Sequence, residues 1–148
     1  MKVTFVLDPG KSGGYVVCYE GLKALTLHNL DGLSELLDHL EEYKAEHREA
    51  LIEEVPSYAG KDIPSSTSFK LGYSCGALEG AFRALEIPVH FVGPKTWQKG
   101  LSGLSGLTGA PRKRVLKEIA HRLYPTLKPT LRTADALLMA HYFFTTKR

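Results

Sequence analysis

One α/β domain, a five-stranded mixed sheet flanked by helices in the order βββαβαβαα, is the fold class that this sequence predicts. Three observations predict it. Short apolar runs rich in β-branched residues alternate with longer stretches of helical periodicity. The first three such runs follow one another with only turns between them. No linker is long enough to divide the 148 residues into two domains.

The elements follow in order. The first strand is read over 3–8, VTFVLD. YVVCYE (15–20) and KALTLH (23–28) flank a turn at Gly21 and form a hairpin, so three strands run in antiparallel succession. In LDGLSELLDHLEEYKAEH, residues Leu33, Leu36, Leu37, Leu40 and Tyr43 share one helical face, with Asp31 as the N-cap. ALIEEVP (50–56) is a short strand closed by Pro56. SYAGKDIP (57–64) is a loop, and a long helix starts near Ser65 or Ser66.

Within that helix Gly72, Gly76, Gly80 and Ala84 recur every fourth residue. A glycine costs a helix interior about 0.8–1.0 kcal/mol relative to Ala, so three of them point to close approach of another backbone. That backbone belongs either to the domain's own sheet or to the same helix of a second subunit. PVHFVG (88–93) is the next strand, and PKTWQKGLSGLSGLTGAPRK reads as a glycine-rich mobile loop whose leucines need cover. PRKRVLKEIAHRLYP (111–125) sets Val115, Leu116, Ile119 and Leu123 against a basic face, and TADALLMAHYFFTTK is a buried C-terminal helix.

Composition is that of a soluble globular protein, 43% hydrophobic and 24% charged. No apolar run approaches the roughly 20 residues that cross a bilayer, and MKVTFVLDPG does not read as a signal peptide. Cys18 and Cys75 lack metal-type spacing and read as reduced thiols, which points to an intracellular location. The six histidines show no paired metal spacing and are assigned no chemistry. Charge is divided unevenly. Residues 1–94 carry 8 basic and 14 acidic side chains, while residues 95–148 carry 11 and 2. A basic surface for a polyanion is expected in the last third.

Three acids stand where apolar elements should not have them. Asp8 ends the first strand, Glu53 and Glu54 interrupt LIEEVP, and Asp135 opens ADALLMA. Neighbouring strand residues face opposite ways, so one of Glu53 and Glu54 shares the side of Asp8. Each acid alone has a plainer reading: Asp135 as a charge favoured at a helix N-terminus, Asp8 as the start of a turn. Together, two parallel strands and a helix end can gather three carboxylates. Such a cluster needs cations, and Mg²⁺ is the ion suited to hard oxygen donors that leave room for water. Beside a basic surface, the cluster suits metal-assisted phosphodiester hydrolysis.

LDPGKSGG, IEEVPSYAG, SSTSFKLGYSCGALEGAFRAL, IPVHFVGPKTWQK and RTADALLMAHYF, in this order and spacing, resemble the RuvC-like Holliday junction resolvases of phage and bacterial genomes. These are members of the ribonuclease H-like superfamily. The resemblance implies a homodimeric, Mg²⁺-dependent endonuclease, with Mn²⁺ able to substitute, that nicks four-way DNA junctions in symmetric pairs. It matches Asp8, Glu53 and Asp135 to the catalytic, metal-binding acids and so prefers Glu53 over Glu54. It assigns the Gly72, Gly76 and Gly80 stripe to the dimer contact. It sets Phe69, with Lys70 beside it, near the junction centre, as a wedge or stacking group or else a core residue.

Arg112, Lys113, Arg114 and Lys117 are the expected phosphate contacts, and Lys113 is also placed to stabilise charge in the transition state. Trp97 reads as a core residue or as a stacking one. One departure from the family stands out. Where relatives carry a fourth metal-binding residue, this chain has KPTLRT, with Arg132 three residues before Asp135, and a guanidinium cannot ligate a cation. That departure motivates a second reading, a junction-binding protein without hydrolysis. A third, an actin-like nucleotide-binding protein suggested by DPGKSGG, needs two such domains and far more chain, so no nucleotide cofactor is expected.

Overall fold

The computed structural model describes residues 1–54 and 64–146. Pro56 and residues 57–63 of the expected loop lie outside them. Five strands form one sheet: β1 (Lys2–Leu7), β2 (Gly14–Tyr19), β3 (Ala24–Asn29), β4 (His47–Glu53) and β5 (Val89–Val92). Their spatial order is β3-β2-β1-β4-β5, with the first three antiparallel and with β4 parallel to both β1 and β5. The helices are α1 (Ser34–Glu42), α2 (Ser65–Ala84), α3 (Pro94–Gln98), α4 (Gly109–Leu123) and α5 (Ala134–Thr145). The short α3 is an addition to the expected order.

Side chains alternate across a strand, and this alternation divides the core into two layers. Val3, Phe5 and Leu7 of β1, Tyr15 and Val17 of β2, and Ala50 and Ile52 of β4 pack with Leu36 and Leu40 of α1 and Leu78 and Phe82 of α2. Val6, Val16, Cys18 and Leu51 face the other way, onto Leu116 and Ala120 of α4 and Leu137 and Met139 of α5. Burying one such aliphatic side chain contributes about 1.5–3 kcal/mol, so both layers are firmly specified. By the same parity Asp8 and Glu53 belong to the layer of α4 and α5.

Several local expectations are corrected. Asp31 does not cap α1, whose N-cap is Leu33 without a side-chain hydrogen bond; Asp31 pairs instead with Arg132. Leu37 and Leu123 are exposed, at the margins of their helical faces. The leucines of the glycine-rich segment are covered by the chain itself: Leu104 is buried and Leu101 packs against the same layer. The α2 glycines have no close neighbour among the described residues, because a Cβ built at Gly72, Gly76 or Gly80 would meet nothing there within 4 Å. Close packing on the domain's own sheet is therefore not their reason. Cys18 and Cys75 are thiols, and no helix among the described residues is long and apolar enough to cross a membrane.

Candidate metal centre

The segment after β1 folds back on Asp8. The Asp8 N–H donates to the Gly14 carbonyl at 2.9 Å, the Gly13 N–H donates to the Gly10 carbonyl at 2.9 Å, and the Gly10 N–H donates to Asp8 Oδ1 at 3.2 Å. The Gly-Gly pair is required sterically: a Cβ at Gly13 would fall 2.0 Å from the Asp8 carbonyl oxygen, and one at Gly14 2.6 Å from that of Arg132. Pairing of Leu7 with Ile52 in the parallel β1–β4 ladder sets Glu53, the last residue of β4, level with Asp8. Glu54 instead lines a separate cavity at the β5 edge with His90, Phe91 and Thr96. The indole Nε1–H of buried Trp97, in α3, donates to Glu53 Oε2 at 2.7 Å.

Asp135 comes from the first turn of α5. Its Oδ2 accepts from Lys113 Nζ of α4 at 2.7 Å. Its Oδ1 is buried and has no hydrogen-bond partner among the described residues. A cavity of about 290 Å³ opens between Asp8, Gly10, Ser12, Gly13, Lys113, Leu131, Arg132 and Asp135.

The three acids and the lysine share one electrostatic field. Burial raises the Asp8 pKa and the charge of Asp135 adds to it, while the Gly10 N–H and Lys113 oppose. Glu53 is pushed up to about 7, first by burial and then by Asp8 and Asp135, against the Trp97 hydrogen bond and Lys113. Burial works against the charge on Lys113, but Asp135, Asp8 and Glu53 outweigh it and hold the ammonium above its ordinary pKa. One ammonium against three carboxylates leaves an excess of negative charge in a desolvated place. The donors are hard oxygens, and the lone pairs of Asp135 Oδ1 are unused. This set fits a divalent cation of the Mg²⁺ class.

Arg132 faces this cavity but uses its guanidinium elsewhere. One terminal nitrogen donates to the carbonyls of Gly13 and Leu30, each at 3.2 Å, and to Asp31 Oδ1 at 2.8 Å. It thus ties the start of α5 to the Asp8 loop and to the β3–α1 connection. It adds no ligand.

The expected nucleic-acid contacts divide by location. Phe69 and Lys70 lie exposed on the first turns of α2, and Phe69 is 72% accessible. Tyr73, one turn on and equally exposed at 72%, lies 6.3 Å from the Phe69 ring. The sequence reading missed it, although the i, i+4 spacing carried the signal. Arg114 and Lys117 border an open cavity of about 720 Å³ with Glu118, His121, Arg122 and Leu131. Lys113 turns inward to Asp135. Arg112 also turns inward, with its guanidinium held by Gln98 Oε1 and by the carbonyls of Leu104 and Leu107, so it braces the glycine-rich segment. The contact of Trp97 with Glu53 was also missed; the position of PKTWQ directly after β5, next to the end of β4, was the available clue.

A mixed five-stranded sheet in this order, with helices on both faces, is an α/β fold of the ribonuclease H-like type. Within that class the fold is that of RuvC. Thermus thermophilus RuvC in complex with a Holliday junction substrate superposes with a TM-score of 0.62 at 19% identity, covering 96% of this chain and 92% of that one. A second structure of Thermus thermophilus RuvC gives 0.58 at 21% identity, covering 95% and 92%. No family model and no curated protein matches the sequence.

Proposed function

We propose that this chain is a structure-specific, divalent-metal-dependent endonuclease that resolves four-way DNA junctions by paired nicks, acting as a homodimer. The observations that support the reading are Asp8 and Asp135 lining one cavity, Glu53 level with Asp8 on the neighbouring strand, and a buried carboxylate oxygen of Asp135 without a hydrogen-bond partner among the described residues. The fold shared with a protein solved on a Holliday junction supports the choice of substrate.

Asp8, Glu53 and Asp135 are the residues that would hold Mg²⁺, with Mn²⁺ as a substitute. When bound, such ions supply positive charge against the scissile phosphate and lower the pKa of water. The protein's own groups prepare the site. Glu53 must lose its proton before it can serve as a ligand, and the Trp97 N–H favours the ionised form. Lys113 orients Asp135 through Oδ2 and brings a cation to the cavity edge, within reach of developing phosphate charge. Arg114 and Lys117 take the DNA backbone. Phe69 and Lys70, with Tyr73, meet the junction centre, and the open Gly72, Gly76 and Gly80 face receives the second subunit.

The test is a synthetic four-way junction incubated with protein and Mg²⁺ or Mn²⁺, beside its plain duplex arms. Symmetric nicks in the junction alone, lost in Asp8→Asn with junction binding retained, are expected. Equal cleavage of duplex arms, or undiminished nicking by Asp8→Asn, overturns the reading. Arg132, at the place of a fourth ligand, favours one alternative: binding of the junction without cleavage at any divalent concentration.

A further inference from the structure

A second cluster of metal-binding side chains lies on the opposite face of the sheet, in the layer of α1. His28 pairs across the β2–β3 ladder with Tyr15, whose side chain belongs to that layer. Glu35 and His39 are four residues apart on α1, and so lie on one face of it. One donor atom from each of His28, Glu35 and His39 lies within 4.8 Å of the others. His28 Nδ1 is 3.3 Å from Glu35 Oε1, and the two imidazole rings are 4.5 Å apart.

We infer that His28, Glu35 and His39 form a binding site for a transition-metal ion of the Zn²⁺ class, joining α1 to the β3 edge of the sheet. Two imidazole nitrogens and one carboxylate oxygen are the donors such an ion prefers over Mg²⁺, which selects oxygen. Three protein ligands leave a fourth position for water or an outside ligand.

The geometry needs little change. Tetrahedral bonds of about 2.0–2.1 Å put donors roughly 3.4 Å apart, and the His28–Glu35 pair already has that spacing. The remaining contraction, from no more than 4.8 Å, falls to the distances from His39 to the other two. Supporting contacts are in place on both rings. The Tyr15 hydroxyl bonds His39 Nδ1 at 2.6 Å, and Thr26 Oγ1 bonds His28 Nε2 at 2.9 Å. Each imidazole has two nitrogens, so a hydroxyl can fix its orientation while the other nitrogen faces the ion. Tyr15 also stacks on His28 with centroids 4.8 Å apart. The sequence masked this site, because its partners come from a strand and a helix and only Glu35 and His39 share a spacing.

The decisive experiment is Co²⁺ titration of the metal-free full chain carrying Asp8→Asn, which weakens the acidic centre, followed by competition with Zn²⁺. The expected result is one visible ligand-field spectrum of imidazole-bound Co²⁺, displaced by one equivalent of Zn²⁺. Glu35→Gln, an exposed change that leaves the fold intact, weakens binding by about tenfold or more, on the scale set by lost metal contacts. His28→Asn weakens it further. Absence of the spectrum, or affinities unchanged in both variants, overturns the assignment. Because absorption rather than DNA cleavage is read, the outcome is independent of the nuclease reading.

Discussion

Trp97→Phe isolates one hydrogen bond at the candidate metal centre. The indole N–H lies 2.7 Å from Glu53 Oε2 and holds down a carboxyl that burial and two neighbouring acids have pushed up to about 7. Phenylalanine keeps most of the ring volume and deletes the donor. A hydrogen bond to a charged group contributes about 1.5–3 kcal/mol, and 1.36 kcal/mol corresponds to one pH unit. The proton on Glu53 should therefore be lost about one to two pH units higher in the variant. Metal affinity at neutral pH, where the parent is already about half protonated, falls by roughly five- to fiftyfold and recovers in alkali. Calorimetric titration with Mn²⁺ from pH 6 to 9 reads the shift directly, without any DNA. The stability cost should stay below the about 3–5 kcal/mol typical of truncating a buried aromatic to alanine. A Mn²⁺ profile that overlays the parent's across this range would refute the role given to Trp97.

Other consequences can be measured separately. In metal-free protein, Glu53 holds its proton more tightly folded, at about 7, than unfolded, at 4.5. The native state thus binds more protons between those values, and stability falls as pH rises from 4.5 to 7, by up to about 3 kcal/mol. Denaturation at a series of pH values should show this slope, and Glu53→Gln should flatten it. Arg132→Ala removes the donor serving Gly13, Leu30 and Asp31 and should cost about 2–3 kcal/mol, seen as a lower urea midpoint. Arg114→Ala or Lys117→Ala should each reduce the salt slope of junction affinity by about one. At Gly76 an added Cβ meets no described residue within 4 Å, so in Gly76→Leu thermal stability should hold or rise by up to about 1 kcal/mol. In the proposed dimer the same change should shift sedimentation to the monomer.

Period and parity made most of the fold legible. Short apolar runs located all five strands to within a few positions, and helical stripes located α1, α2, α4 and α5. The misplaced features depend on partners distant in sequence. Asp31 has the chemistry of a cap, but Arg132, 101 residues away, claims its carboxylate. The five-residue α3 is too short for its own periodicity to reveal it. At the candidate site, the acids were visible because a carboxylate ending an apolar run is costly without a partner. The sequence offers Arg112 and Lys113 as phosphate contacts, and local spacing does not report which charges turn inward. Lys113 turns toward Asp135, and Arg112 caps carbonyls of a loop that had looked uncovered. The Gly13–Gly14 pair suggested a turn, and only the tertiary structure shows that any side chain there would strike the Asp8 or Arg132 backbone.

The division of β1 and β4 into two facing sets has a consequence for how such a chain can change over generations. Removing one residue from the middle of β1 would carry the acid at its end to the wrong side of the sheet, however well the strand still paired. Removing two would restore its side while shortening its reach by roughly 7 Å. Length variation should therefore collect at the β2–β3 turn around Gly21 and in the segment from Lys99 to Thr108, where no ligand's facing depends on an even count.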